Sequence, residues 1–236
     1  MTMRPRDPGA LITAAVLAVW AAALWFLELS DRWALLLSTR TRWVLVVGAV
    51  ILTAGALGRL ATAGARRSAG ALGRRHVLGL AFVALPAVVV LALPPTTLGA
   101  AAASSRGAAG GAYVSGLSIS TTGPPTLIEV AAARYSPDVL HALGRKAGER
   151  VSYVGFVKRD PDTPSDQFLL TRFVITCCVA DALVAEVRVV GLQEQGLHEN
   201  QWVRVSGRLF PVRDDILLLA DRVQRIDKPA HPYLTP

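Results

Sequence analysis

Three long uncharged apolar runs constrain the fold of this chain more than any other feature. Residues 9–27 form a run of 19, which at a rise of about 1.5 Å per residue crosses a hydrocarbon core of about 30 Å. Residues 43–58 form a second run, extended by Arg59, whose long side chain can snorkel to the interface. Residues 77–93 form a third. These runs predict transmembrane helices at about 9–27, 43–63 and 77–95, in a membrane domain of residues 1–93. The alternative for the two shorter runs is a buried helix or a hairpin that dips into the bilayer.

The basic charge of the chain belongs to this apolar part. The formal net charge is +8, and residues 1–126 alone hold eleven arginines against three acidic residues. Residues 127–236 hold fourteen basic and fourteen acidic side chains, so the hydrophilic part has no surplus with which to bind phosphates. The distribution argues against nucleic-acid binding and indicates membrane topology instead.

Topology follows from the basic residues near the ends of the expected spans. The N-terminal tail and the loop between the second and third spans together hold seven arginines, and the segments on the other side hold four. The excess predicts a multi-pass protein of the cell membrane, with its N-terminus in the cytoplasm and everything after the third span outside.

The rest of the chain divides into a linker and a small domain. Residues 94–126 are small, polar or turn-forming almost throughout and predict a flexible linker. Residues 127–236 have the size of one soluble domain. In it, Ser136 and Pro137 suit the N-cap and first position of a short helix.

Alternation of period two follows that helix and predicts five strands. Their sequences are RVSYVGFVKRD, QFLLTRFVITCCVAD (a long strand or a bulged pair), LVAEVRVVGL, QWVRVSGRLFPV and ILLLADRVQRI. Glycines within the first and fourth strands favour a small, strongly coiled barrel of the OB type, although another small antiparallel barrel or sandwich would give a similar pattern. The predicted fold class is therefore a membrane-anchored α+β protein, with transmembrane helices followed by a mostly-β, OB-like domain that contains a short helix.

Motifs of common enzymes and of calcium loops are missing from the sequence. There is no glycine-rich phosphate loop between a strand and a helix, no HExxH and no GxSxG. Asp160 and Asp162 imitate the start of a calcium loop, but Ser165 stands where glycine is required and Thr171 where the final glutamate belongs. We therefore expect a protein that is not an enzyme.

The chain's two cysteines are neighbours, Cys177 and Cys178. Because successive side chains of a strand face opposite sides, both sulfurs can meet one ligand only if a bulge re-aims one of them. With a bulge, the two thiolates and Asp181 would form part of a site for Zn²⁺ or another soft metal. Further ligands would have to come from Asp160, His198 or His231. Two alternatives stay open: a redox pair that closes a strained disulfide, and one cysteine packed in the core beside an incidental one.

Four stretches within roughly residues 127–236 are distinctive: VGFVKRDPD, QFLLTRFVITCCVADA, WVRVSGRL and PAHPY. Through these stretches the hydrophilic half resembles an uncharacterised bacterial family of predicted membrane-permease subunits. The resemblance implies an accessory subunit that works beside a multi-span predicted permease. It also assigns a signature to this chain, comprising Asp160, Pro161, Arg172, Phe173, Cys177, Cys178, Ala180, Asp181, Trp202, Gly207, Pro232 and Tyr233.

These observations together predict a non-enzymatic accessory subunit of a two-component membrane permease complex. Its extracytoplasmic OB-like domain would bind substrate or metal, or regulate the partner permease. The alternative is a membrane-tethered thiol redox or metal sensor acting through Cys177 and Cys178.

Overall fold

The computed structural model of the chain describes residues 8–63, 73–93, 96–106, 108, 123–191, 196–213 and 215–236. The chain divides into two compact units, Met1–Thr96 and Thr97–Pro236.

The first unit consists of three helices, α1 (Pro8–Leu29), α2 (Arg42–Thr62) and α3 (Arg74–Ala92), with a 3₁₀ turn at Arg32–Leu35. The indole N–H of Trp25 on α1 donates to the Thr53 hydroxyl on α2 at 3.2 Å, and that of Trp20 donates to the Val83 carbonyl on α3 at 3.0 Å. Many large apolar side chains on α2 and α3 face outward, with Ile51 63% and Phe82 77% exposed. An apolar exterior of this kind indicates a lipid-facing surface.

Two helices of the described residues are long and apolar enough to cross a membrane, Gly9–Leu29 and Arg42–Thr62. The third predicted span forms a helix that continues through Pro86, but its apolar part, Leu78–Ala92, is shorter. That part is about 22 Å long at ~1.5 Å per residue. The two apolar helices ahead of a separate domain make this a membrane-anchored protein.

The second unit is built on a closed five-stranded barrel in the order β1-β2-β3-β5-β4. The strands are β1 (Arg150–Lys158), β2 (Phe168–Val174), β3 (Leu183–Val190), β4 (Trp202–Val212) and β5 (Asp215–Arg225). β3 and β5 pair in parallel, and the other neighbours pair antiparallel. The predicted OB-like α+β fold is confirmed.

The two strand glycines allow the strands to approach closely. A Cβ atom at Gly155 would lie 2.7 Å from the Thr171 carbonyl oxygen, and one at Gly207 would lie 2.9 Å from Ala220 Cα. The ladder between β4 and β5 shifts register at Ser206/Gly207, which is the bulge expected where a small barrel bends sharply.

Short helices cover one part of the barrel. α5 (Leu127–Ala132) begins at a capping box, in which the Thr126 hydroxyl accepts from the Glu129 N–H and the Glu129 carboxylate accepts from the Thr126 N–H. α6 (Pro137–Gly144) begins as predicted, with Ser136 as N-cap and Pro137 at its first position. Both helices contribute to the main core inside the barrel.

The predicted flexible linker over 94–126 needs a correction in part. Residues 100–104 form a helix, α4 (Ala100–Ser104), whose Ala100 and Ala103 are buried in a second apolar cluster. Small alanines suit this position because they pack closely without losing side-chain entropy. Residues 94–95, 107 and 109–122 of the predicted linker lie outside the described residues.

Candidate functional site

The cysteine pair lies in a loop, and the predicted bulged strand is wrong at this point. β2 ends at Val174, and a single 3₁₀ turn, Val179–Asp181, follows the cysteines. Cys177 is exposed and Cys178 is half-buried, and both are free thiols. A loop removes the alternation of a strand, so the two sulfurs lie on one side, 3.7 Å apart. We call residues 176–181 the cysteine loop.

Asp181 closes the cysteine loop. Its carboxylate accepts the backbone N–H of Thr176 at 3.1 Å and that of Cys177 at 2.7 Å. The Cys178 backbone and the Cys177 thiol also lie close enough to this carboxylate to lower its pKa. A carboxylate that accepts several N–H groups in this way is the anchor of a compact turn.

These contacts set the protonation of the loop. The bond from the Cys177 thiol to Asp181, followed by its bond to Cys178, raises the pKa of that thiol to about 11. Partial burial raises the pKa of the Asp181 carboxyl, but the bonds from Cys177, Thr176 and Cys178 outweigh it, so the pKa lies below its ordinary value. At neutral pH the loop holds a carboxylate and a protonated Cys177 thiol, which is a poor nucleophile and a poor metal ligand.

The remaining predicted metal ligands are not gathered around the loop. The backbone N–H of His198 donates to the Gln201 side chain, while the His231 carbonyl accepts from Arg172. Asp160 lies 2.9 Å from the ammonium of Lys158 in an ion pair. Over the ranges that the structure describes, no group of three His, Cys, Asp or Glu residues could hold a metal ion. Zn²⁺ binding by Cys177, Cys178 and Asp181 stays a prediction.

Arg172 fastens the C-terminal tail to the barrel. Its guanidinium donates to the Pro232 carbonyl at 3.0 Å and to the His231 carbonyl at 2.8 Å. The Leu234 N–H donates to the Phe173 carbonyl, and the Leu234 carbonyl accepts from Ile175, so the tail runs parallel beside the end of β2. The tail therefore behaves as a short additional strand.

Aromatic side chains fill the barrel end beneath the tail. Phe156 lies 5.8 Å from both Phe173 and Trp202, and Tyr233 packs edge-on to Phe173 at 6.4 Å. The Arg172 guanidinium lies 5.8 Å from the Trp202 ring, within range of a cation–π interaction. Four residues named from the resemblance, Arg172, Phe173, Trp202 and Tyr233, thus form one packed group.

The segment before the barrel also contacts the cysteine loop. The Arg106 guanidinium donates to the Val179, Ala180 and Ala182 carbonyls at 3.1, 3.4 and 3.2 Å. The Leu98 N–H donates to the Tyr233 hydroxyl. Sequence reasoning missed Arg106 as a site residue, because 73 to 76 positions separate it from its partners.

Three other signature residues lie apart from this group. Pro161 follows Asp160 in the loop between β1 and β2, and Gly207 marks the bulge of β4. Asp160 belongs to a chain of ion pairs in which the buried Lys158 also contacts Glu186, and Arg134 bridges Glu186 to Asp215. Nothing in the sequence pattern predicted this network.

Comparison with known proteins agrees with this division of the chain. Residues 129–236 match the family model described as the DUF1980 C-terminal domain. A protein of Streptococcus mutans serotype c, named "Putative two-component membrane permease complex subunit", is 42% identical over 60 residues, which cover 25% of this chain and 21% of that relative. The aligned stretch is thus about a fifth of the length of this curated relative. No solved structure matches. The predicted family is confirmed to this extent: residues 129–236, a little under half of the chain, match the DUF1980 C-terminal domain.

Proposed function

We propose that this protein is a non-enzymatic accessory subunit of a two-component membrane permease complex. Its OB-like domain would stand outside the cytoplasm and regulate the partner permease through the cysteine loop. The name of the S. mutans relative supports the complex, and the apolar helices of the first unit support its place in the membrane.

The observation that carries this proposal is that the polar groups of the site are used to hold backbone segments together. Asp181 anchors the cysteine loop, Arg106 binds the carbonyls of its far end, and Arg172 binds those of the tail. The Asp181 carboxylate beside the Cys177 thiol is held by backbone N–H groups and has a lowered pKa, so it is a weak base and a poor activator of that thiol. An exposed loop built on a rigid barrel instead suits docking.

The charge of the domain supports a protein partner over a nucleic acid. Residues 127–236 carry equal numbers of acidic and basic side chains. Several of them are also paired within the fold, as Arg134 is with Glu186 and Asp215. A domain with no net charge lacks the basic surplus that favours binding of OB barrels to oligonucleotides.

Co-purification from native membranes tests the complex. We expect the tagged full-length chain, extracted in mild detergent, to carry a multi-span membrane protein with it. Asp181→Ala should recover about tenfold less of that protein, because the cysteine loop loses its anchor. Arg208→Ala, an exposed change on β4, is the matched control and should recover the normal amount. If no multi-span protein accompanies the unaltered chain, the proposal is wrong.

Thiol labelling in intact cells tests the orientation. Because Cys177 and Cys178 are the chain's only cysteines, a membrane-impermeant maleimide should label them without permeabilisation. A variant with both changed to serine and with Gly73→Cys, ahead of α3, should be labelled only after permeabilisation. The opposite pattern would place the barrel in the cytoplasm.

A further inference from the structure

Among the described residues, the first half of β1 has a strand neighbour on one side only. Arg150–Phe156 pair with β4, but the pairing with β2 covers only Phe156, Val157 and Lys158. Beyond Gly155, which still lies close to Thr171, no described strand pairs with β1 on this side, so residues 150–154 present an open edge next to the closed part of the barrel. Over Arg150–Val154 this edge is about 13 Å long at ~3.3 Å per residue.

The backbone groups on this edge belong to Ser152 and Val154. Val157 exchanges hydrogen bonds with Gln201 and Asn200 on the β4 side, so odd-numbered residues of β1 bond towards β4. Since bonding alternates along a strand, the N–H and C=O groups of even-numbered residues point the other way. The Val154 carbonyl indeed faces the Arg172 guanidinium, at 3.5 Å.

The tail occupies only the β2 side of this opening. The Leu234 backbone bonds to the Phe173 carbonyl and to the Ile175 N–H. In a fully paired barrel these two groups would bond to β1. Between the tail and the β1 edge lies an open cleft of about 360 Å³, lined by residues 151–154, Arg172, Leu234 and the segment 124–127. The Tyr153 hydroxyl donates to the Pro125 carbonyl at 2.6 Å, which fixes the outer wall. The tail shows that this opening accepts an extended segment by strand pairing.

The cleft also contains a positive charge that has no acidic partner among the described residues. Among the described residues the Arg172 guanidinium bonds only to carbonyl oxygens, those of Pro232, Val154 and His231. Burial lowers the pKa of this guanidinium. A partly buried guanidinium held by neutral acceptors favours a carboxylate ligand, because a charge-assisted bond is roughly twice as strong as a neutral one.

We propose that this cleft binds an extended acidic peptide segment of a partner protein, which pairs as an added strand with the open edge of β1 and places a carboxylate on Arg172. Main-chain bonds to Ser152 and Val154 supply affinity, and Arg172 selects for the acidic side chain, as in other cases of strand addition. The proposal specifies the chemistry of the segment and does not rest on the permease complex.

Fluorescence anisotropy of two labelled peptides with the detergent-solubilised full chain tests this. The probes are TVTVDVT and its neutral counterpart TVTVNVT, which differ only in one charge. We expect the acidic peptide to bind about tenfold more tightly. Arg172→Gln should abolish that preference while the main-chain bonds preserve the weaker affinity.

A proline on the edge tests the strand pairing itself. Ser152→Pro removes an N–H that points into the cleft and leaves the bonds of odd-numbered residues to β4 intact, so both peptides should bind at least about tenfold more weakly. Ser152→Ala, which keeps the N–H and loses the contact of the Ser152 and Ser206 hydroxyls, should bind normally. Near-ultraviolet circular dichroism checks that each variant is folded.

Three results would overturn the proposal. One is that neither peptide binds the folded chain, and another is that folded Ser152→Pro binds both of them unchanged. The third is self-association of the chain that Ser152→Pro abolishes and that either peptide competes away, because the occupant would then be a second copy of this chain.

Discussion

Replacement of Gly207 by alanine is expected to lower the free energy of unfolding of the barrel by about 3 kcal/mol. A Cβ atom there would overlap the Leu219 carbonyl and lie 2.9 Å from Ala220 Cα. The strand cannot yield easily, because Gly207 is paired with Val151 on one side and Ala220 on the other. For a domain of this size the melting temperature should fall by roughly 15 °C, measured by circular dichroism of the full chain in detergent.

Gly144→Ala is the matched control for this prediction. Gly144 ends helix α6, and a Cβ atom there would meet nothing within 4 Å. Alanine in helical backbone is favoured over glycine, so this variant should be unchanged or more stable by up to about 1 kcal/mol. If Gly207→Ala melts at the temperature of the control, β4 does not bend as the structure describes.

The barrel was predictable because its determinants are local. Alternation of buried and exposed residues marks β1 and β4, and Gly155 and Gly207 mark the places where strands come too close for a side chain. The capping box at Thr126 and Glu129 is a local signal of the same kind and marks the start of α5.

The geometry of the site was not predictable, because its contacts join distant parts of the chain. Arg106 reaches the cysteine loop, and Arg172 reaches the tail across about sixty residues. No pattern in a single sequence indicates such pairs. The strand predicted through Cys177 and Cys178 failed for a related reason, since the Asp181 carboxylate offers the backbone of residues 176–178 an alternative to the sheet ladder.

Asp181 affects both the conformation of the cysteine loop and the chemistry of its thiols. The resemblance placed it in a signature with the two cysteines, which suggested a shared ligand. In the structure the same carboxylate accepts the N–H groups that hold the turn and raises the pKa of the Cys177 thiol. One side chain therefore affects both the conformation of the loop and the ionisation of its exposed cysteine.

Asp181→Asn is accordingly expected to raise the rate at which Cys177 reacts with a maleimide at pH 8 by about tenfold. With the negative charge removed, the pKa of the thiol should fall from about 11 towards its ordinary value near ~8.5. The thiolate fraction then rises by about two orders of magnitude, and part of the gain is lost because a less basic thiolate is a weaker nucleophile. The measurement uses the full chain carrying Cys178→Ser, so that only Cys177 reacts. Asp138→Asn, an exposed carboxylate at the start of α6, is the control and should leave the rate unchanged.

The same contacts give the loop a defined pH window. The lowered pKa of Asp181 contributes stability that is present above the ordinary carboxyl pKa of about 4 and is lost as pH falls through the folded value. The raised pKa of Cys177 contributes stability that is present below the ordinary thiol pKa of about 8.5 and is lost as pH rises through about 11.

Hydrogen exchange at the amides of residues 176–178, corrected for intrinsic exchange rates, should therefore show the greatest protection between about pH 4 and pH 8.5. Asp181→Asn should weaken that protection and flatten its dependence on pH. Equal protection in the variant and the unaltered chain, together with an unchanged maleimide rate, would show that Asp181 does not anchor the cysteine loop.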